Sequence, residues 1–545
     1  MKTTNEDLFL IGPDGSERPL PLPSAGAKAA QLWHMVRLGL HVPPAFVLST
    51  RLCTPINRGE VQAERTFAHC LREGIEYLEH TTGRRFGDPR NPLLVSVRSG
   101  AARSMPGMLE TVLDVGLNAE TVRGMIRVTG NPRLAWDSYR RFVQSFSEVV
   151  WGIPPDPFER RLTESKHAEQ VEHDYELDPE ALERLTIDCR EIALEIGAQR
   201  ILDDATEQLN AVARAVYRSW DSEKAKVYRR LNRLEDLSGT AVTVQTMVFG
   251  NGSGRSGAGV AFTRNPATGE KKLYADFLFD AQGEDIVSGR RCPGDWNMMA
   301  MKLPAVAREL AAGAQRLEQE FSDVQDIEFT VENAQLYFLQ TRAAKRTPRA
   351  ALKIVVDLVR EGLIDVAEGL RRVSDIEPAA TARTRFAGSA KPIASATPAS
   401  DGVASGRIAF DSERAKALSD QGNPVILVRS ETSTEDVLGF GIAAGILTAV
   451  GGRTAHAAVV ARQLGKVCLV GCRALAIASE GSRATIGTQV LDEGDWLSLD
   501  GESGEIFLGK REIIQELPEA ELATIQAWKL KAEALGSPKR APTPS

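Results

Sequence analysis

The spacing of apolar residues changes several times along the chain, and each change marks an element or a boundary. Residues 25–39 repeat at helical spacing and are stopped by Gly39 and then by Pro43-Pro44. Short apolar runs at 45–49 and 93–97 end in polar or glycine-containing loops, as strands do. Residues 155–237 are rich in Glu, Arg, Ala and Leu and poor in Gly. Helical spacing at 209–220 makes that segment a helical insertion or subdomain. Strand signals return at 241–248, 259–264 and 273–279. In the last, Leu273, Ala275, Phe277 and Phe279 fall on one face.

Residues 350–373 show the pattern of an amphipathic helix. The stretch TARTRFAGSAKPIASATPAS (381–400) holds almost no large apolar residues, a composition that suits a linker or hinge. A compact segment follows at 402–509, with short strands at 425–428, 445–450 and 467–470, a helix at 455–464, and a closing hairpin around Asp500-Gly501. The final SPKRAPTPS has a disordered composition. Together the elements predict a mixed α/β (α+β) protein.

Length and charge narrow this picture. The 545 residues are enough for three or four domains. Sixty-six basic against 73 acidic side chains, a formal charge of −7, lack the basic footprint of a nucleic-acid binder. No apolar stretch approaches the roughly 20 residues that cross a bilayer, and MKTTNEDLFLIG has no apolar run long enough for a signal peptide. Of six cysteines only Cys468 and Cys472 are close, and not at CxxC spacing. Reduced thiols in a cytoplasmic protein, bound to neither nucleic acid nor membrane, are expected.

The sharpest chemical feature is GGRTAHAAVVARQLGK (451–466). A strand runs into Gly451-Gly452, Thr454 is placed as an N-cap, and His456 lies in the first helical turn. A neutral imidazole there is a nucleophile near neutral pH. A phosphoryl group carried on it would meet the favourable end of the helix dipole. A lone first-turn histidine is more often unreactive, so the surrounding motif decides.

The motif resembles the phosphohistidine motif of phosphoenolpyruvate-utilising enzymes, and the chain as a whole resembles the pyruvate, phosphate dikinase family. The likeness runs through LLVSVRSGAARSMPGMLETVLDVGLN, GVAFTRNPATGEKKLY, QGEDIVSG, QDIEFTVE, LQTRAAKRT, VILVRSETSTEDV and GDWLSLDGESGEIFLG. It implies an ATP-grasp nucleotide-binding domain at 1–345 with the helical insertion at 155–237. A helical linker and hinge at 346–400, a swivelling β/β/α phosphohistidine domain at 401–510, and a C-terminal helix and tail at 511–545 complete the expected organisation.

The resemblance makes His456 the phosphocarrier and Thr454 a regulatory site. It makes Lys28, in SAGAKAAQL, the first ATP-contacting lysine, and gives Arg98 a phosphate role that its bidentate fork suits. Arg140 and Arg141 are adjacent in AWDSYRRF, and the family pattern does not say which reaches nucleotide. The strand with Gln245 resembles the lining of the adenine pocket. NGSGRSGAG (251–259) reads as a glycine-rich loop, with Gly257 and Gly259 among its backbone donors to phosphate.

The metal site has a pattern of its own. In QDIEFTV, Asp326, Glu328 and Thr330 share one strand face, the two carboxylates about 6–7 Å apart. With a 332–334 loop, Gln340 of the next strand sits opposite Asp326, with Arg342 on the same face. Oxygen ligands beside nucleotide phosphates suit Mg²⁺. The resemblance assigns Asp326, Glu328, Gln340 and Arg342 to the ATP and Mg²⁺ site, with Asp326, Glu328 and Gln340 as metal ligands. Simple alternation on a half-exposed hairpin gives the same spacing.

Several positions depart from the family. Ala258 replaces Thr, Arg453 replaces Met and Ala455 replaces Ser. A pyruvate-binding barrel needs roughly 250 residues, and only nine follow Gly536, so a separate barrel partner or another acceptor is expected. The favoured activity is a phosphotransfer half-reaction from ATP and inorganic phosphate through His456, with Arg98 and Arg342 assisting. The alternatives are a phosphocarrier or regulatory protein, and an ATP-binding pseudo-enzyme.

Overall fold

In the computed structural model the chain forms two units, Met1–Gly252 with Tyr337–Thr341, and Ser253–Leu336 with Arg342–Ser545. The structure describes residues 6–103, 105, 108–195, 199–252, 254–287, 294–431, 436–452, 456–478 and 482–536.

The first unit is built on an antiparallel sheet. Strands β1 (Leu8–Ile11), β2 (Ala45–Leu48), β3 (Val95–Gly100), β4 (Thr111–Val115) and β5 (Ala241–Thr246) lie in the order β1-β2-β5-β3-β4. Phe46, Leu48, Val95, Val97, Val242 and Val244 enter one core with Phe67, Cys70 and Leu78 of the helix Val61–Thr82. Alternation puts Ser96, Arg98, Thr243 and Gln245 on the other face. Residues 155–237 carry helices Asp156–Ala168, Pro179–Leu194, Gln199–Asp203, Ala205–Ser219 and Glu223–Leu231. Asp178, Asp204 and Ser222 cap three of them by accepting from backbone N–H groups. These helices share the sheet's core through residues such as Leu182, Leu185, Val212 and Val216.

A second sheet has five strands, which fall in the second unit apart from Tyr337–Thr341 of the last one. Its strands are β6 (Gly257–Phe262), β7 (Tyr274–Phe279), β8 (Gly294–Asp295), β9 (Gln325–Glu332) and β10 (Gln335–Ala343), in the order β8-β7-β6-β9-β10. Two sequence expectations change here. The glycine-rich stretch is not a loop to residue 259, because Gly257 and Gly259 belong to the central strand β6. A Cβ on Gly257 would lie 2.2 Å from the Phe277 ring, and one on Gly259 2.2 Å from the Phe329 ring. These glycines make room for aromatic packing, and Gly259 is paired with Phe277 on one side and Phe329 on the other. The β9–β10 turn is also shorter than the 332–334 loop, with Asn333 (φ 51°) and Ala334 (φ 63°) both left-handed.

The amphipathic pattern at 350–373 becomes two helices, Pro348–Arg360 and Val366–Arg372, separated at Gly362 (φ 72°). Residues 381–400, whose composition suits a linker, instead carry strands Arg383–Phe386, Ala394–Ser395 and Thr397–Ser400. The reason is close backbone approach. A Cβ on Gly501 would lie 2.1 Å from the Ser400 carbonyl oxygen, and one on Gly504 2.3 Å from that of Ala396. The glycines that admit this approach stand at 501 and 504, outside the stretch, so its own composition cannot show that 394–400 pairs into a sheet.

An eight-stranded sheet follows, in the order Ala394–Ser395, Glu505–Leu508, Trp496–Asp500, Val403–Ala409, Val425–Arg429, Gly445–Thr448, Val467–Val470 and Thr397–Ser400. Val403–Ala409, Val425–Arg429, Gly445–Thr448 and Val467–Val470 run parallel. Helices Ser412–Asp420, Val437–Ile442 and His456–Leu464 connect them. The expected Asp500-Gly501 hairpin joins Trp496–Asp500 to Glu505–Leu508. Helix Glu519–Gly536 packs Ile525 and Trp528 against Leu352, Val355 and Val356. No helix among the described residues is long and apolar enough to cross a membrane.

Candidate functional site

In the first unit the helix Leu22–Arg37 begins with a close approach to β3. Gly26 has φ 81°, and a Cβ there would lie 1.9 Å from the Gly100 carbonyl oxygen. Only glycine fits. The next residue, Ala27, donates its N–H to the Ala101 carbonyl at 3.0 Å. This docking sets Lys28 over the strand end: a Cβ built on Gly100 would be 3.9 Å from the Lys28 Cβ and 3.6 Å from Thr243 Oγ1. Arg98 pairs with Thr243, and Ser96 with Gln245, across β3 and β5. Gln245 is buried and donates Nε2 to the Pro43 carbonyl at 3.1 Å. The sheet therefore gathers Lys28, Arg98, Thr243 and Gln245 around one face. Gln340 falls in Tyr337–Thr341, which belongs to this unit. That stretch is tied in by the Phe338 N–H to the His41 carbonyl at 2.8 Å.

Arg140 and Arg141 turn out to share a partner. Asp137 is buried and accepts from Arg140 Nη2 at 2.9 Å on one oxygen and from Arg141 Nε at 3.1 Å on the other. Burial opposes ionisation there, yet the guanidiniums of Arg141, Arg140 and Arg133 hold the Asp137 carboxyl well below the usual range.

In the second unit the hairpin expected to hold metal brings Asp326 and Arg342 together. Arg342 Nε donates to Asp326 Oδ2 at 2.8 Å. Asp326 is 7% exposed, and its Oδ1 is buried with no hydrogen-bond partner. Burial pushes this carboxyl up, Arg342 pulls it down, and Glu328 adds to the rise. Burial works against the Arg342 charge, but Asp326 and Glu328 carry its pKa above the ordinary value. With the turn one residue shorter, a position for Gln340 opposite Asp326 no longer follows; the observed partner of Asp326 is Arg342.

Among the described residues no three His, Cys, Asp or Glu side chains gather as a metal cluster. The chemistry here is a pair of carboxylates, one with an oxygen left without a donor. That suits a hard cation held by one or two carboxylates and completed by phosphate oxygens and water.

Other expected residues have different surroundings. Position 258 is fully buried, opposite Leu278 and Thr330, in the core with Val260 and Phe262. The family's hydroxyl at this position would enter that core. His456 opens the helix His456–Leu464, as the motif predicts. Arg453, Thr454 and Ala455 lie outside the described residues, and so does the N-cap reading of Thr454.

Sequence reasoning passed over two arginines. Arg264, in TRNPATGE, is fully buried, with Nη2 2.7 Å from Glu318 Oε1 and 2.8 Å from Glu361 Oε2. It clamps the end of β6 to helices Pro304–Phe321 and Pro348–Arg360. Arg462 is 1% exposed on the helix that carries His456. The available signal was a cation within the otherwise apolar run AAVVAR.

Comparison with known proteins gives this geometry a family. Residues 59–310 and 303–362 match the pyruvate phosphate dikinase, AMP/ATP-binding domain, and 421–504 match the PEP-utilising enzyme mobile domain. The chain is 42% identical over 548 residues to the chloroplastic pyruvate, phosphate dikinase of Flaveria pringlei, covering 100% of this chain and 57% of that one. It is also 42% identical over 526 residues to the pyruvate, phosphate dikinase of Clostridium symbiosum, covering 95% and 60%. The chain thus spans a little over half the length of these relatives. With a nucleotide-binding domain matched over more than half its length and a mobile domain behind it, the chain belongs to the pyruvate, phosphate dikinase family.

Proposed function

We propose that the chain carries out the nucleotide half-reaction of a dikinase. ATP and inorganic phosphate become AMP and pyrophosphate, and the β-phosphoryl group passes to His456. The γ-phosphoryl leaves joined to the inorganic phosphate, so the four phosphorus atoms are all accounted for. The observation that carries this reading is the buried Asp326, fixed by Arg342 and retaining an oxygen without a donor.

Lys28 and Arg98 bind and orient the phosphates from the first unit's sheet, while Arg342 holds Asp326 and adds positive charge. Gln245, fixed by the Pro43 carbonyl, lines the adenine side. Asp326, Glu328 and Gln340 would hold Mg²⁺, which neutralises phosphate charge when bound. His456 is the nucleophile, and its imidazole must be neutral to attack. Thr454 is the proposed regulatory position. Gly257 and Gly259 contribute through aromatic packing of β6, not through loop amides.

Discharge is proposed onto pyruvate held by a barrel, or onto another acceptor. A cytoplasmic setting agrees with the buried cysteines Cys53, Cys70, Cys189, Cys468 and Cys472.

The test is AMP formation with and without inorganic phosphate, in the wild type and in His456→Ala. The variant should bind ATP and form no acid-labile, base-stable phosphoenzyme. Normal labelling of the variant would remove His456 from the reaction.

A further inference from the structure

The helix His456–Leu464 turns Ala457, Ala458 and Ala461 into the core of its own sheet. Arg462 does something else. Its Nη1 donates to the Ala399 carbonyl at 2.7 Å, on the edge strand Thr397–Ser400. Its guanidinium carbon stands 5.6 Å from the centre of the Phe262 ring, on β6 of the five-stranded sheet. Its Nε is buried without a hydrogen-bond partner.

Phe262 is no arbitrary neighbour. It pairs directly with Asp326 on β9 and with Tyr274 on β7. The Tyr274 hydroxyl donates to the Pro398 carbonyl at 3.0 Å, one residue from the carbonyl that Arg462 uses. The edge strand is thus joined to the carboxylate-bearing sheet at two consecutive residues, once through a tyrosine and once through an arginine from the carrier helix.

The contrast with Arg264 is informative. Arg264 is equally buried but sits between glutamates at 2.7 and 2.8 Å, a permanent clamp. Arg462 is buried on one carbonyl and one ring face, with the charges of Asp326 and Asp276 acting on it from the sheet. Burying a guanidinium with so few partners is costly, and a ring face returns only part of that cost. Such a contact holds a defined geometry yet requires no carboxylate ion pair to be broken on release, which suits a rigid-body departure.

We infer that Arg462 is a positioning residue that seats the carrier helix on the carboxylate face of the nucleotide sheet. His456 lies six residues earlier, about 9 Å along the helix axis, so seating Arg462 between the Phe262 ring and the Ala399 carbonyl fixes where the histidine is presented. The inference rests on the proposed half-reaction.

Two phosphoryl donors separate the possibilities in the full chain. ATP with inorganic phosphate and Mg²⁺ requires the carrier helix to be seated. Phosphoramidate, a small donor that phosphorylates histidine directly, does not. Arg462→Met should lower ATP-dependent labelling about 10- to 100-fold, the scale of a small misplacement of a reacting group, and leave phosphoramidate labelling at the wild-type level. Arg462→Lys keeps the charge without the planar fork and should fall between. Tyr274→Phe removes only a hydroxyl from the opposite sheet and should lower ATP-dependent labelling about three- to tenfold, the worth of one hydrogen bond. Wild-type ATP labelling in Arg462→Met, or in Tyr274→Phe should Arg462→Met fail to fold, overturns the inference. Parallel loss with both donors in all three variants also overturns it, since that marks a structural role. A wild-type chain labelled by phosphoramidate but not by ATP would sink the half-reaction, and the positioning role with it.

Discussion

Arg342 holds one oxygen of Asp326 at 2.8 Å, while the other oxygen is buried with no donor of its own. The pair is half satisfied in a place where an unsatisfied acceptor is costly. It leaves an oxygen that a cation can use.

The first prediction follows from the protonation of Asp326. Its carboxyl is pushed up, mainly by burial, so the folded state holds a proton more tightly than the unfolded chain. Stability of the nucleotide-free protein should therefore fall as pH rises from about 4, the unperturbed aspartate value, through the raised value. Asp326→Asn, which can still accept from Arg342, should remove that slope and be at least as stable at neutral pH, while forming no phosphoenzyme. Thermal melts across pH check this; parallel curves for the two proteins would contradict it.

Arg264 should behave differently. Removing one member of a buried, hydrogen-bonded ion pair leaves an uncompensated charge and costs about 3–5 kcal/mol. Arg264→Ala and Glu318→Ala should each lose stability on that scale in urea unfolding. A loss under about 1 kcal/mol, the level of an exposed pair, would show that the clamp is not structural.

The glycines of β6 give a third prediction. Gly259→Ala places a methyl where the Phe329 ring lies, and overpacking of this kind costs about 1–3 kcal/mol. Phe329→Leu in the same chain should recover part of the loss. If Gly259→Ala kept its stability and lost only nucleotide affinity, the residue would belong to a phosphate site instead.

Thiol chemistry is a fourth check. Burial pushes the Cys53 and Cys468 thiols up to about 12 and that of Cys189 up to about 11. Thiolates are the reactive form, so in a Cys292→Ser background these thiols should resist a disulfide reagent in the native protein and react on unfolding. Rapid native reaction would mean that these cores open readily.

Much of this architecture could be read from residue patterns because period and local signals agree. The strands at 425–428 and 467–470, the helix after Gly451-Gly452 and the Asp500-Gly501 hairpin are short apolar runs between turn residues. The misreadings share one cause. At Gly257 and Gly259, and at Gly501 and Gly504 against 396–400, glycine serves tight packing, and a sequence shows smallness without showing what lies against it. Asp326 and Arg342 were found because alternation exposes a strand face. Their contact, and a turn one residue shorter than expected, were visible only in the folded hairpin. Arg462 was missed because its partners come from Phe262 and Ala399, far from it in sequence.

The central claim is that the β-phosphoryl of ATP comes to rest on His456. Purified chain should be incubated with inorganic phosphate, Mg²⁺ and ATP labelled with ³²P at either the β or the γ position, and the phosphoprotein mapped. Label from the β position should appear as an acid-labile, base-stable phosphohistidine at residue 456, while γ label leaves in pyrophosphate. Retention of γ label on the protein, or β label on any other residue, would contradict the account.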